Sequence, residues 1–232
     1  MKVMTFNVQH CENFNTGKID FVSFAEYIKN SGADIIGLNE IRSKGIDAEY
    51  ENQMEILSNM SGIENYYFAK AIDFDGKNPY GNGMLSKFKI EKVENIPIPD
   101  PEVRAYDGYY ETRCLIKAKL ENGLTVMITH FGLNPDEHEN AAKTIAENIE
   151  KEKCILMGDF NVTPESDILK PIREKMKDTA SVFKENLFSF PSDEPNIKID
   201  YVFVSDDIEV ISADIPSLVL SDHRPYIAEI NI

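Results

Sequence analysis

The chain has 232 residues, 42% of them hydrophobic and 28% charged, with 40 Asp and Glu against 24 Lys and Arg. That length suits one large domain or two small ones with ample core, and the hydrophobic fraction excludes disordered and fibrous classes. The net charge of −16 argues against gripping long duplex nucleic acid through the overall field, because phosphate contacts need Lys and Arg.

The three cysteines, Cys11, Cys114 and Cys154, are odd in number and lack paired spacing, so neither a disulfide framework nor a zinc site is expected; Cys114 and Cys154 sit in apolar surroundings and read as core thiols. No apolar run approaches the roughly 18 residues of a membrane span. The first residues run straight into Val3-Met4-Thr5-Phe6-Asn7 with no signal-like apolar region, so a cytoplasmic location is the expectation unless a leader was removed. No linker or repeat divides residues 1–232, which predicts one domain.

A first strand is predicted at Val3–Asn7 and a helix capped by Asp20, with Phe21, Phe24, Ala25 and Ile28 on one face and Gly32 ending it. Asp34–Glu40 is nearly continuously apolar, as suits a strand covered on both faces. Tyr50, Met54 and Leu57 mark a second helix, closed by Gly62. Strands are expected at Tyr66–Ala71, Gly83–Ser86, Ile90–Ile98, Glu111–Leu120 and Leu124–His130, the last two joined by a two-residue Asn122-Gly123 turn. Asn134-Pro135-Asp136-Glu137 has the cap, first-turn Pro and capping-box Glu of a helix start. Cys154–Asp159 reads as a buried strand and Thr163-Pro164-Glu165-Ser166 as another helix start; Tyr201–Val204, Ile208–Ala213 and Tyr226–Ile230 complete the strands. Helices and strands thus mix at both ends around an antiparallel centre, an order that two face-to-face sheets with outer helices accommodate.

Polar residues recur where apolar strands end: Asn7, Asn39-Glu40, Thr129-His130, Gly158-Asp159-Phe160-Asn161, Asp200, and Ser221-Asp222-His223-Arg224-Pro225. A lone Asp in such a place is more often a turn or cap residue. In Asp159-Phe160-Asn161, however, strand alternation puts the carboxylate and the amide on one face and Phe160 in the core. Oxygen donors dominate the set, which suits Mg²⁺, Mn²⁺ or Ca²⁺ rather than zinc.

As a set, Thr5-Phe6-Asn7, Leu38-Asn39-Glu40, Gly81-Asn82-Gly83-Met84-Leu85-Ser86, Thr129-His130-Phe131, Gly158-Asp159-Phe160-Asn161, Ile199-Asp200-Tyr201-Val202 and Ser221-Asp222-His223-Arg224-Pro225 resembles, in order, the motifs of the endonuclease/exonuclease/phosphatase superfamily. The resemblance spans residues 5–225 and implies the DNase I-like fold, a four-layer α/β sandwich of two packed mixed sheets flanked by helices. It implies a Mg²⁺-dependent hydrolase of phosphate esters. Glu40 would be the principal ligand, with Asn7 and Asp222 helping directly or through water. Asp159 would position or deprotonate the attacking water, and Asn161 would hold a phosphate oxygen. His223, oriented by Asp200, would act as a base or stabilise the pentacoordinate phosphate; His130 would donate to the phosphate or protonate the leaving oxygen. Arg113 and Asn82 match less specific positions near the phosphate.

Independently of that resemblance, a divalent ion, a carboxylate-paired His and a positioned acid answer the three needs of phosphodiester hydrolysis: charge neutralisation, a nucleophile and a stabilised leaving group. His10 and His138 lie outside the motifs and read as surface residues, and Tyr106, Tyr109 and Tyr110 as packing beneath a loop. Gln9 stands where several DNA-repair members have an acidic residue, which weighs against an apurinic-site endonuclease. A phosphodiester is the expected substrate, single-stranded or small if a nucleic acid; a sugar, inositol or nucleotide monoester is the alternative. A catalytically silent binding module is the rival of another class, and the complete set of polar residues argues against it.

Overall fold

The computed structural model describes residues 1–185 and 187–232. The two-residue repeat of the first strand, β1 (Lys2–Asn7), sets the architecture. Met4 and Phe6 turn outward into a cluster with Phe24, Ile28 and Leu38, whereas Val3 turns inward to a second cluster with Ile35, Ile128 and Met157. Thr5 and Asn7 share the inward face by the same alternation. A ribbon of β2 (Glu12–Asn13) and β3 (Lys18–Ile19) follows, then α1 (Phe21–Ser31). The Asp20 side chain accepts from the Ser23 amide at its start, and Gly32, at φ 70°, ends it.

β4 (Ile35–Arg42), α2 (Gln53–Ser61), β5 (Asn65–Phe74), β6 (Asn78–Ser86) and β7 (Ile90–Pro97) come next. A connection over residues 98–113 leads to β8 (Cys114–Leu120), β9 (Thr125–His130), α3 (Pro135–Asn148) and β10 (Cys154–Asp159). The chain then runs through α4 (Lys170–Arg173), β11 (Lys177–Asp178), β12 (Asp200–Val204), β13 (Glu209–Asp214) and β14 (Tyr226–Asn231). One sheet has the order β13-β14-β1-β4-β6-β5 and the other β11-β12-β10-β9-β8-β7. The pairs β1–β4 and β9–β10 are parallel, so both sheets are mixed.

The inner faces of the sheets meet over Ile116, Val126, Ile128, Ile155, Met157, Val202 and Ala228. α1 and α2 cover the first sheet's outer face through Phe24, Ile28, Met54 and Leu57; α3 and α4 cover the second through Ala141, Ala142, Ile145 and Ile172. The result is the expected four-layer α/β sandwich, in which each fully buried Ile, Leu or Phe contributes about 1.5–3 kcal/mol. Gly37 marks the closest approach of the sheets: a Cβ there would stand 3.1 Å from Ile128 and 3.2 Å from Met157. No helix among the described residues is long and apolar enough to cross a membrane. All three cysteines are free and buried.

Several local expectations are corrected. The β8–β9 turn spans three residues, Glu121–Gly123, flanked by the Leu120–Leu124 hydrogen bond, and only Gly123 has positive φ (83°); one left-handed glycine closes a three-residue loop without needing a second such position. β8 begins at Cys114, opposite Pro97, because Pro97, Pro99 and Pro101 lack the amides that would extend the ladder with β7. Tyr50 precedes α2 and packs under the Arg42 guanidinium, 4.8 Å from its ring centre. The segment after Thr163 makes only a 3₁₀ turn at Asp167–Leu169, capped by Ser166, before the single turn of α4. His138 is not a surface residue: it is 7% exposed, with Nε2 2.9 Å from the Gly132 carbonyl.

Gly158 offers a test of this register. Its φ is +150°, and a Cβ would lie 1.9 Å from the Thr129 carbonyl oxygen of the adjacent strand. Gly158→Ala is expected to cost more than ~2 kcal/mol and to lower Tm by at least about 4 °C in a thermal melt; unchanged melting would contradict the β9–β10 pairing.

Candidate active site

The site lies where the inward-facing residues of both sheets turn polar. Alternation carries β1 to Asn7, β9 to His130 and β10 to Asp159, while β12, antiparallel to β10, begins at Asp200 opposite Asp159. Glu40 arrives by a different device. Between Leu38 and Ile41, β4 carries two residues, Asn39 and Glu40, opposite the single Asn82 of β6. This bulge, with Glu40 at φ 61°, keeps Ile41 in the outer core with Leu38 and re-aims the intervening polar pair, as bulges beside functional sites do.

The residues form one connected network. Asn7 Nδ2 donates to both Glu40 Oε1 and Asp159 Oδ2, each at 3.0 Å, while its Oδ1 accepts from the Gln9 amide at 3.1 Å. Asp159 Oδ1 accepts from the Asn161 amide at 3.0 Å, and Asp159 Oδ2 lies 3.4 Å from His130 Nε2 and 3.6 Å from His223 Nε2. His223 Nδ1 pairs with Asp200 Oδ2 at 2.8 Å, and the Phe190 ring packs on the imidazole with centroids 4.8 Å apart. Burial pushes the Asp159 carboxyl up to about 7. Burial opposes protonation of His223, but the Asp200 and Asp159 charges outweigh it and push its pKa up to about 10.

His130 has the opposite character. An Arg113 guanidinium NH lies 3.1 Å from Nδ1, and since guanidinium can only donate, Nδ1 must be the bare nitrogen and the proton sits on Nε2. Burial, then Arg113 and His223, hold this imidazole well below its ordinary pKa. Arg113 is itself buried and paired with Glu111. Asn161 Nδ2 donates to the Phe131 carbonyl at 3.1 Å, beside His130 Nε2 at 3.3 Å. Asn161 has φ 51°, so a left-handed turn, not strand pleating, aims it.

Charge decides what the site can hold. Five carboxyl groups, Glu40, Glu111, Asp159, Asp200 and Asp222, gather around Arg113 and His223, with the buried Lys198 ammonium adding positive charge on the Asp200 side. Burial lifts the Asp222 carboxyl, and the Glu40 charge adds to that rise, so these two carboxylates feel one another. An anionic phosphate ester enters such surroundings only with added positive charge, and hard oxygen donors of this kind fit a divalent cation such as Mg²⁺. Asp159, Asp200 and His223 also bring possible ligand atoms within 4.8 Å of one another. Both nitrogens of His223 face carboxylates, however, which is the arrangement of a protonated imidazolium with no lone pair to offer. Glu40 and Asp222 are therefore the better-fitting donors, and Asn7 presents its amide nitrogen to the site, not its oxygen.

All ten residues singled out in the sequence reach this region. Asn82 joins it through Asn39, with its Oδ1 accepting from the Asn39 amide at 2.8 Å and its Nδ2 donating to the Cys114 carbonyl at 3.0 Å. Asn39 was missed: fully buried, it donates to the Thr129 carbonyl at 2.8 Å and accepts from the Asp159 amide at 3.0 Å, clasping the two sheets. Glu111 was missed as the partner of Arg113. His10, read as a surface residue, is half-buried in a left-handed turn on the Glu40 side. Of the three tyrosines, only Tyr110 is packing, its hydroxyl donating to Asp136 at 2.7 Å; Tyr106 and Tyr109 are exposed.

Comparison with known proteins shows the family and the fold. The Endonuclease/Exonuclease/phosphatase family matches residues 4–223. Among solved structures, an endonuclease/exonuclease/phosphatase from Bacteroides vulgatus is similar at 22% identity and TM-score 0.79, covering 100% of this chain and 98% of that one. A Bacteroides thetaiotaomicron mannosyl-6-phosphatase matches at 16% identity and TM-score 0.79, covering 100% of both chains. A Neisseria 3′ phosphatase bound to product DNA hairpin matches at 16% identity and TM-score 0.72, again covering 100% of both. No curated protein sequence matches.

The Asp200–His223 pair yields a pH prediction. A folded pKa of about 10 against an ordinary 6.5 means that the His223 contribution to stability is complete below pH 6.5 and is lost as pH rises through 10. Asp200→Asn removes the leading partner that raises it, so the ¹⁵N resonances of His223 should titrate at lower pH than in the wild type. An unchanged titration would contradict the pairing.

Proposed function

We propose that this chain, which belongs to the Endonuclease/Exonuclease/phosphatase family, is a divalent-cation-dependent hydrolase that cleaves a phosphodiester by in-line attack of water. The observation that carries this reading is the position of Asp159, a buried carboxyl group within 3.6 Å of two histidine Nε2 atoms of opposite character and tied through Asn7 to Glu40. A cation held by Glu40 and Asp222 would supply positive charge to the phosphoryl and leaving oxygens.

The remaining roles belong to the chain's own side chains. Asp159, poised at about 7, is matched to accept a proton from the attacking water near neutral pH. His130, neutral and protonated at Nε2, donates a hydrogen bond to a phosphoryl oxygen; it is a poor general acid, because burial and the Arg113 charge disfavour the imidazolium form that would give up a proton. His223, kept cationic by Asp200, adds positive charge where the pentacoordinate phosphate gathers negative charge. Asn161 contacts a phosphate oxygen from the turn after Asp159. The excess of carboxylates favours the single charge of a diester over the double charge of a monoester.

The monoester reading has one support of its own: two proteins of similar fold are named as a mannosyl-6-phosphatase and a 3′ phosphatase. Relative rates on bis-p-nitrophenyl phosphate and p-nitrophenyl phosphate decide between the two, with the diester expected to be faster. Activity should vanish with EDTA and return with Mg²⁺ or Mn²⁺. His130→Ala should lower kcat by ~10²–10³-fold with KM little changed, as for loss of one fixed donor to a developing oxyanion. Equal rates in wild type and variant would remove His130 from the mechanism.

A further inference from the structure

Two strained backbone segments flank the cation side of the site. Glu40 is left-handed at φ 61°, and Gln9, His10 and Cys11 form a run at φ 43°, 47° and 64°. L-residues pay for such conformations, and these persist only where surrounding contacts over-determine them. One buried side chain outside the polar network ties the turn to the strand that carries Glu40. Gln53, the first residue of α2, is fully buried; its Nε2 donates to the His10 carbonyl at 2.7 Å and its Oε1 accepts from the Arg42 amide at 2.8 Å. The amide orientation is forced, because a carbonyl only accepts and a backbone amide only donates.

We propose that Gln53 is a positioning residue for the cation site, holding the Glu40 carboxylate from one side and Asn7 from the other. This role presupposes that Glu40 is a cation ligand. On the strand side, Gln53 fixes the residue two beyond Glu40, just past the bulge, where the backbone returns to its ladder with β6. On the turn side, it fixes His10, whose neighbour Gln9 donates its amide to Asn7 Oδ1 and so turns Asn7 Nδ2 toward Glu40 and Asp159. Loss of the Gln53 amide would strand a donor and an acceptor, and both left-handed segments could relax toward ordinary extended backbone, swinging the Glu40 carboxylate out of register.

The test is Mn²⁺ binding to the intact protein by electron paramagnetic resonance, with thermal melts in EDTA alongside. Gln53→Met keeps the side chain's size and removes both hydrogen bonds; a 10–100-fold weakening of Mn²⁺ binding is expected, the range for residues that orient ligands. Thr179→Val serves as the structural control, since Thr179 is buried and its hydroxyl contacts the Val202 carbonyl and the Tyr226 hydroxyl. It should lower Tm yet bind Mn²⁺ as the wild type does. If Gln53→Met fails to fold, Gln53→Asn, too short to reach both partners at once, replaces it with an intermediate loss expected. Wild-type Mn²⁺ affinity in a folded Gln53 variant would overturn the proposal alone. Undiminished binding in Glu40→Gln would overturn the cation reading on which it stands.

Discussion

Negative charge gathered at one end of the inter-sheet space is the interaction on which the rest of the molecule turns. A protein interior tolerates carboxylates only when donors and countercharges surround them, and here nearly every side chain near Asp159 supplies one or the other. Asn7 separates Glu40 from Asp159 by donating to both. His223 lies between Asp159 and Asp200 as a shared cation, and Arg113 is drawn into the second sheet by Glu111. The proposed cation would add its positive charge beside Glu40 and Asp222, where the Glu40 charge helps to raise the Asp222 carboxyl.

The two histidines show how one set of neighbours yields opposite chemistry. Both are buried to the same degree, and burial disfavours the charged form of each. The difference lies at Nδ1: a carboxylate faces it in His223, a guanidinium in His130. One ring is therefore a cation and the other a neutral donor, and Asp159 sits against the Nε2 atom of both. A single carboxyl group thus meets a fixed charge on one side and a fixed dipole on the other.

The four layers were legible from the order of helices and strands and from the family resemblance, and the polar strand ends from the alternation of side chains along a strand. Val3, Thr5 and Asn7, or Ile155, Met157 and Asp159, read as two-residue repeats that finish on a polar side chain, and a shared end of two packed sheets is where such residues meet. The bulge at Glu40 and the left-handed turn at Gln9–Cys11 were not legible. Local propensity offers no reason for φ above zero at Glu40, Gln9 or Cys11 and only a modest one at His10, so tertiary contacts must hold these conformations. Gln53 was invisible for the same reason: on a helix start it reads as solvent-facing, and only the backbone groups brought against it explain its burial. Asn39 stood in a recognised motif, yet its clasp on Thr129 and Asp159 depends on a second sheet that no single segment announces.

The first strand pairs with the last, and the Met1 amino group reaches the Ile230 carbonyl at 2.8 Å. Since β1 is internal to its sheet, one of its edges stays unpaired until residues 226–231 have emerged from the ribosome. The segment that covers this edge directly follows Asp222 and His223. Closure of the sheet and delivery of the His223 imidazole are thus one event, and a nascent chain still short of β14 lacks the pairing that sets this ring beside Asp159 and Asp200.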